Sequence, residues 1–186
     1  MDTIFVVVYV AWFLSELLLD RVMRTHKPQG HSSTVKPLLV IWIVGILSVG
    51  FAVFFAYNFY FPISANEMVA YWGLFIIVIG IIVRLMVVKS MGRLFSSDMN
   101  KRHDHELITD GFFKYLRHRA FSASFLSFVG FGISLNNYIS FMVIFFSVIY
   151  VFTRRIEAEE EQLVKQFGEE YEAYRKKTKG LIPFIY

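Results

Sequence analysis

Five apolar stretches, each sixteen to twenty-one residues long and broken by only two charges, decide what this chain can fold into. They run from Ile4 to Leu19, Pro37 to Tyr57, Val69 to Val88, Ala120 to Leu135 and Tyr138 to Thr153. A helix rises about 1.5 Å per residue, so roughly 20 apolar residues cross a hydrocarbon layer about 30 Å thick, and fewer suffice when flanking side chains reach for the interface. In a chain of 186 residues that is 56% hydrophobic and only 18% charged, too little polar surface remains to cover such runs in water. The pattern excludes a soluble domain and predicts an all-α integral membrane protein with five transmembrane helices. The fourth and fifth runs, separated only by Asn136 and Asn137, read as a tight helical hairpin.

Orientation follows from the basic residues. Arg21, Arg24, Lys27 and Lys36 lie between the first two runs, the segment from Lys89 to Arg119 lies between the third and fourth, and Arg154 to Lys179 follow the fifth. The loop from Asn58 to Met68 and the Asn136-Asn137 tip hold no lysine or arginine. Every second connection is basic, which places those connections and the C-terminus in the cytoplasm and the N-terminus outside. Met1-Asp2 lacks the basic start of a signal peptide and Arg21 and Arg24 follow the first run as a stop-transfer flank, so this run is expected to remain as a span. The net charge of +4 falls in clusters at span ends, which argues for contact with anionic membrane lipids and against nucleic acid. With no cysteine, disulfides and cysteine-ligated metals are excluded.

The two charges within the runs, Glu16 and Arg84, each stand about one helical turn from the cytoplasmic end of their segment. They could pair; each reaches to the interface, or Arg84 faces a polar pocket under the cytoplasmic loops. Gly45, Gly50, Gly73 and Gly80 are candidates for close helix contact. After the fifth run, Ile156, Leu163, Phe167, Tyr171 and Tyr174 recur at helical spacing. This predicts a cytoplasmic C-terminal amphipathic helix over Arg154 to Thr178, broken at Gly168 and ended by Gly180 ahead of Pro183. The chain reads as one membrane domain, 1–186, with a two-helix N-terminal part (1–68) and a second part (69–186) that carries the chemistry.

That chemistry centres on a polar island between the third and fourth runs. His105-x-Leu107-Ile108-x-x-Gly111-x-Phe113-x-x-x-Arg117-His118 resembles the H-x-L-(V/I)-x-x-G-x-Y-x-x-x-R-H-P-x-Y pattern of the isoprenylcysteine carboxyl methyltransferase family. Downstream, Arg155-Ile156-x-x-Glu159-Glu160-x-x-Leu163-x-x-x-Phe167-Gly168-x-Glu170-Tyr171-x-x-Tyr174 and Ile182-Pro183-Phe184 are similar to that family's C-terminal signature, and Gly92-x-x-Phe95-Ser96 also fits. Three positions differ: Arg119 replaces the proline, Phe121 the tyrosine after it, and Phe113 the earlier tyrosine. Without the proline, His118 is released from the extended backbone required of a residue before proline.

The resemblance implies a membrane methyltransferase that uses S-adenosylmethionine on a lipidic or prenylated acceptor, most readily a carboxylate. It further implies that His105, Leu107, Ile108, Gly111, Phe113, His118 and Phe121 line the cofactor site from one side, with Glu159 and Glu160 from the other. A carboxylate acceptor needs a cation to hold it, and Arg155 or Arg117 would take that role beside Glu159. The plainer reading of Arg155 and Glu159, four apart on a helix, is an ordinary ion pair. Alternatives of a different class remain: a diverged non-catalytic scaffold that binds lipid, or a methyltransferase of phospholipid amines or thiols. His103-Asp104-His105 has no third ligand at fixed spacing, so no metal site is predicted.

Overall fold

The computed structural model describes residues 2–25, 35–98 and 118–178, and among these every regular element is a helix. They are α1 (Thr3–Thr25), α2 (Val35–Asn58), α3 (Met68–Asp98), α4 (Arg119–Ser134), α5 (Tyr138–Phe167) and α6 (Glu169–Lys177). All five apolar runs are helical. Met68–Lys89 and Tyr138–Lys165 are long and apolar enough to cross a membrane, and Thr3–Leu19, Ile43–Asn58 and Ala120–Ser134 are shorter apolar helical segments.

The bundle buries a core of mixed aliphatic and aromatic side chains, Trp12, Ile77, Phe131 and Ile144 among them, and turns other large apolar residues outward. Val7, Leu14, Leu18, Ile46, Leu47, Phe75 and Phe146 are exposed, a surface that water would not tolerate over such an area and lipid would. Inside, Trp12 stacks on Phe131 with ring centres 5.0 Å apart and meets Phe128 edge-on at 4.9 Å, tying α1 to α4. Cross-helix hydrogen bonds supply the polar glue: Tyr9 OH with Ser134 Oγ at 2.7 Å, and Ser140 Oγ donating to the Ala52 carbonyl at 2.6 Å.

The tightest seam lies between α3 and α4. A Cβ on Gly73 would stand 2.3 Å from the Ser134 backbone nitrogen, and one on Gly130 would stand 2.8 Å from that of Ile77, so these backbones touch without side chains between them. Gly80 does the same against Ser127. Gly73 and Gly80 therefore behave as the sequence suggests, whereas Gly45 and Gly50 do not. A Cβ on either meets nothing within 4 Å among the described residues.

Between α4 and α5 the chain turns within Leu135, Asn136 and Asn137, as the hairpin reading requires. Asn136 takes a φ of 44°, and the Asn137 side chain caps α5 by accepting from the Ser140 N–H at 3.1 Å. The tip is pinned to the α2–α3 loop: Asn136 Nδ2 donates to the Ser64 carbonyl at 3.0 Å and Asn137 Nδ2 to that of Phe59 at 2.7 Å. The segment beyond Arg154 departs from expectation. It is a continuation of the fifth run, one helix of 30 residues, because no breaker occurs before Gly168. Gly168, at φ 55°, is the break predicted. After it α6 packs on α5 with Tyr171 buried, and it stops at Lys177; Gly180 lies outside the described residues.

Candidate functional site

The residue that precedes α4, the distal half of α5 and α6 meet at one polar cluster. His118 is the N-terminal cap of α4, with its carbonyl accepting from the Phe121 and Ser122 N–H groups at 3.1 Å each. Its φ and ψ of −110° and 52° lie outside the extended range that a following proline would demand, so Arg119 permits the backbone that aims this ring. Nε2 sits 3.2 Å from Glu160 Oε1 and Nδ1 3.9 Å from Glu159 Oε2. The second oxygen of Glu160 accepts from Arg175 Nε at 3.0 Å. A carboxylate only 6% exposed is thereby bridged by a ring from α4 and a guanidinium from α6.

Aromatic and cationic contacts extend the cluster toward the bundle. The His118 ring lies over Phe121 at 17° between planes and 5.8 Å between centres. On the same phenyl ring Arg155 places its guanidinium carbon 4.7 Å from the centre, and Arg155 Nε stands 3.9 Å from Glu159 Oε1. Helical spacing explains the assembly, since Phe152, Arg155, Glu159 and their neighbours Ile156 and Glu160 fall on adjoining stripes of α5.

Phe121 and Arg155 also line a cavity of about 230 Å³ to which five helices contribute. Its wall has two levels. Nearer the His118 cluster are Glu16, Arg84, Ser124 and Arg155; deeper are Trp12, Val49, Phe128 and Val151. From Phe121 to Phe128 the rise is about 10 Å. Arg84, buried at 4% exposure, donates from Nη1 to Glu16 Oε2, and Ser127 Oγ donates to Glu16 Oε1 at 3.5 Å. The two charges of the apolar runs do pair, and they do so in a cavity wall. What results is a chamber lined mostly by apolar side chains, with Arg84, Arg155 and Glu16 in its wall, adjoining a buried histidine–carboxylate cluster.

Of the residues singled out from sequence, His118, Phe121, Arg155, Glu159 and Glu160 are brought together here. His105, Leu107, Ile108, Gly111, Phe113 and Arg117 lie outside the described residues. Sequence reasoning gave no site role to Arg175 or Trp12, and left Arg84 and Glu16 as a pair, as two interfacial charges, or with Arg84 facing a polar pocket. For Arg84 and Glu16 the signal was present, because a charge retained within an apolar run is costly without a task. Arg175, one of several cations in the last turn of α6, carries no such mark.

The sequence model of the isoprenylcysteine carboxyl methyltransferase (ICMT) family matches residues 73–165, half of the chain. This chain belongs to that family. The matched stretch holds Arg84, His118, Phe121, Arg155, Glu159 and Glu160, while Glu16 and Arg175 lie beyond its ends. The protein-S-isoprenylcysteine O-methyltransferase of Dictyostelium discoideum is 32% identical over 167 residues, covering 88% of this chain and 65% of that one. That of Schizosaccharomyces pombe is 37% identical over 97 residues, 52% of this chain and 40% of the other. A probable protein-S-isoprenylcysteine O-methyltransferase of Oryza sativa subsp. indica is 34% identical over 119 residues, 63% and 62% respectively. The chain thus spans about two fifths to two thirds of these family members. A solved structure of the eukaryotic intramembrane Ras methyltransferase ICMT aligns with 94% of this chain and 62% of its own, at a TM-score of 0.55 and 22% identity. At that identity the likeness is one of fold, a helical membrane fold.

Proposed function

We propose that this chain is a membrane methyltransferase that transfers a methyl group from S-adenosylmethionine to the carboxylate of a prenylated or otherwise lipidic acceptor. The observation that carries the proposal is the junction of His118, Glu159 and Glu160 with a largely apolar cavity whose wall bears Arg84 and Arg155. A soluble donor and an amphiphilic acceptor have to meet where membrane and cytosol meet, and a polar cluster abutting an apolar chamber is that kind of place. The names of the family relatives, which specify isoprenylcysteine O-methylation, support the same acceptor chemistry for this chain.

The donor set fits the proposed cofactor. Carboxylate oxygens of Glu159 and Glu160 suit the cofactor's amine and ribose hydroxyls, His118 offers a ring nitrogen, and the faces of His118 and Phe121 suit a cationic or aromatic group. When bound, S-adenosylmethionine supplies an electrophilic methyl whose bond to sulfur breaks as a carboxylate oxygen bonds to carbon, leaving a neutral thioether and a neutral ester. The residues of this chain hold and orient the partners for that displacement. Arg155, stacked on Phe121, and Arg84 present guanidinium forks to the acceptor's carboxylate, while Trp12, Val49 and Phe128 give its hydrocarbon an anhydrous bed. His105, Leu107, Ile108, Gly111 and Phe113 complete the donor side in this reading, with Arg117 a second candidate for the acceptor's charge.

In the same reading the five apolar helices all cross the bilayer, with the N-terminus outside and the cluster, α6 and the C-terminus cytoplasmic. The basic connections support this orientation, and the match over 73–165 supports residues 69–186 as the catalytic part. Transfer of a labelled methyl group to a prenylcysteine analogue with a free carboxylate tests the proposal in reconstituted membranes. Wild type is expected to label it and Arg155→Lys to turn over at least about tenfold more slowly with donor affinity retained, since a point charge replaces a planar fork. No labelling by wild type would refute the proposal.

A further inference from the structure

Glu16 is a carboxylate held in the wall of a chamber that, on the reading above, receives another carboxylate. It lies on α1, outside the stretch matched by the family, and it occupies Arg84, a buried guanidinium in the chamber's wall. Among the described residues it also accepts a 3.5 Å hydrogen bond from Ser127 Oγ. Helix α1 packs on α3 and α4 while α2 packs on α5, and Phe13 of α1 and Ile46 of α2 both line the cavity and also reach the outer surface. Glu16 stands about one turn from the polar end of its apolar run, where a small shift of α1 would carry its charge to the interface.

The reaction itself changes the charge on the acceptor. A carboxylate enters with the charge of Glu16 and can exchange with it on Arg84; the ester that leaves is neutral and cannot. We propose that Glu16 is an internal competitor for the acceptor clamp. It holds Arg84 while the chamber is empty, yields it to an incoming carboxylate and reclaims it once methylation has removed the acceptor's charge. Glu16 is then a positioning residue that discriminates acid from ester and speeds product release, with α1 as the element that moves. This inference rests on the proposed carboxylate methylation.

The test compares a prenylcysteine acid with its methyl ester on wild type and Glu16→Gln in reconstituted membranes. Methyl transfer by wild type is measured first, and its absence would remove the proposed function rather than the competitor alone. Given transfer, Glu16→Gln is expected to bind the acid about tenfold more tightly and to suffer product inhibition by the ester at about tenfold lower concentration, because nothing contests Arg84. A folded Glu16→Gln protein whose acid affinity is unchanged or weaker would overturn the competitor and leave Glu16 a structural partner. Should that variant not fold, the wild-type pairing decides. The chain has no cysteine, so Val10→Cys on α1 and Leu47→Cys on α2, both exposed, can carry spin labels. The α1–α2 distance is expected to change with the acid and to return to the empty value with the ester. No change with the acid, or the same change with both, would overturn it.

Discussion

His118 does three things through one backbone conformation: it starts α4, lays its ring on Phe121 and reaches Glu160 on α5. A proline at 119 would drive its ψ from 52° toward the extended range and swing the ring away. Arg119→Pro is therefore expected to lower donor affinity in this chain, even though the family pattern carries that proline; tighter binding in a calorimetric titration would contradict this. Glu160→Gln removes the charge shared by His118 and Arg175, and His118→Ala removes the ring. Each is expected to weaken the donor by about tenfold or more, since a buried polar group loses its partner. The resemblance in sequence set His118 opposite Glu159 and Glu160, and the structure brings their side chains within 3.9 Å, although nothing local to α5 or to the start of α4 says that the two meet. Arg84 and Glu16 were legible only as anomalies, since which helices face each other is not written in either segment alone.

Among the elements, the α3–α4 seam fixes α4 along its middle and C-terminal half, at Ser127, Gly130 and Ser134, and so the helix whose start His118 caps. Gly73→Leu would force the backbones apart where even a Cβ comes within 2.3 Å, at a cost of about 3 kcal/mol or more. Gly45→Ala, on an open stretch of α2, is expected to leave thermal stability level or raise it by up to about 1 kcal/mol. Equal effects in a melting experiment would contradict the seam. Asn137→Ala loses a helix cap and the link to Phe59 at once and is expected to cost roughly 1–2 kcal/mol. Hydrophobic length gave all five helices and the glycine turn gave the α5–α6 break. It could not tell Gly73 from Gly45, because tolerance of a side chain depends on the partner helix. Nor could it show that the fifth run and the amphipathic segment are one rod, since a change from lipid to water leaves helical periodicity intact.

For the whole molecule, orientation and site belong to one argument, because the cluster has to open to the side that supplies a soluble donor. The absence of native cysteine makes this directly readable: a cysteine at Tyr60, on the α2–α3 loop, is expected to react with an impermeant reagent from outside, and one at Glu172 of α6 only from the cytoplasmic face. The central claim is that chain segments forty residues apart, His118 and Glu159-Glu160, form one donor site against an apolar acceptor chamber. Its most direct test is transfer of a labelled methyl group from S-adenosylmethionine to a prenylcysteine carboxylate by wild type, His118→Ala and Glu160→Gln in the same membranes. The expected result is labelling by wild type that falls at least about tenfold in both variants, in proportion to their lost donor affinity. Undiminished labelling in both variants, or none in wild type despite donor binding, would contradict it.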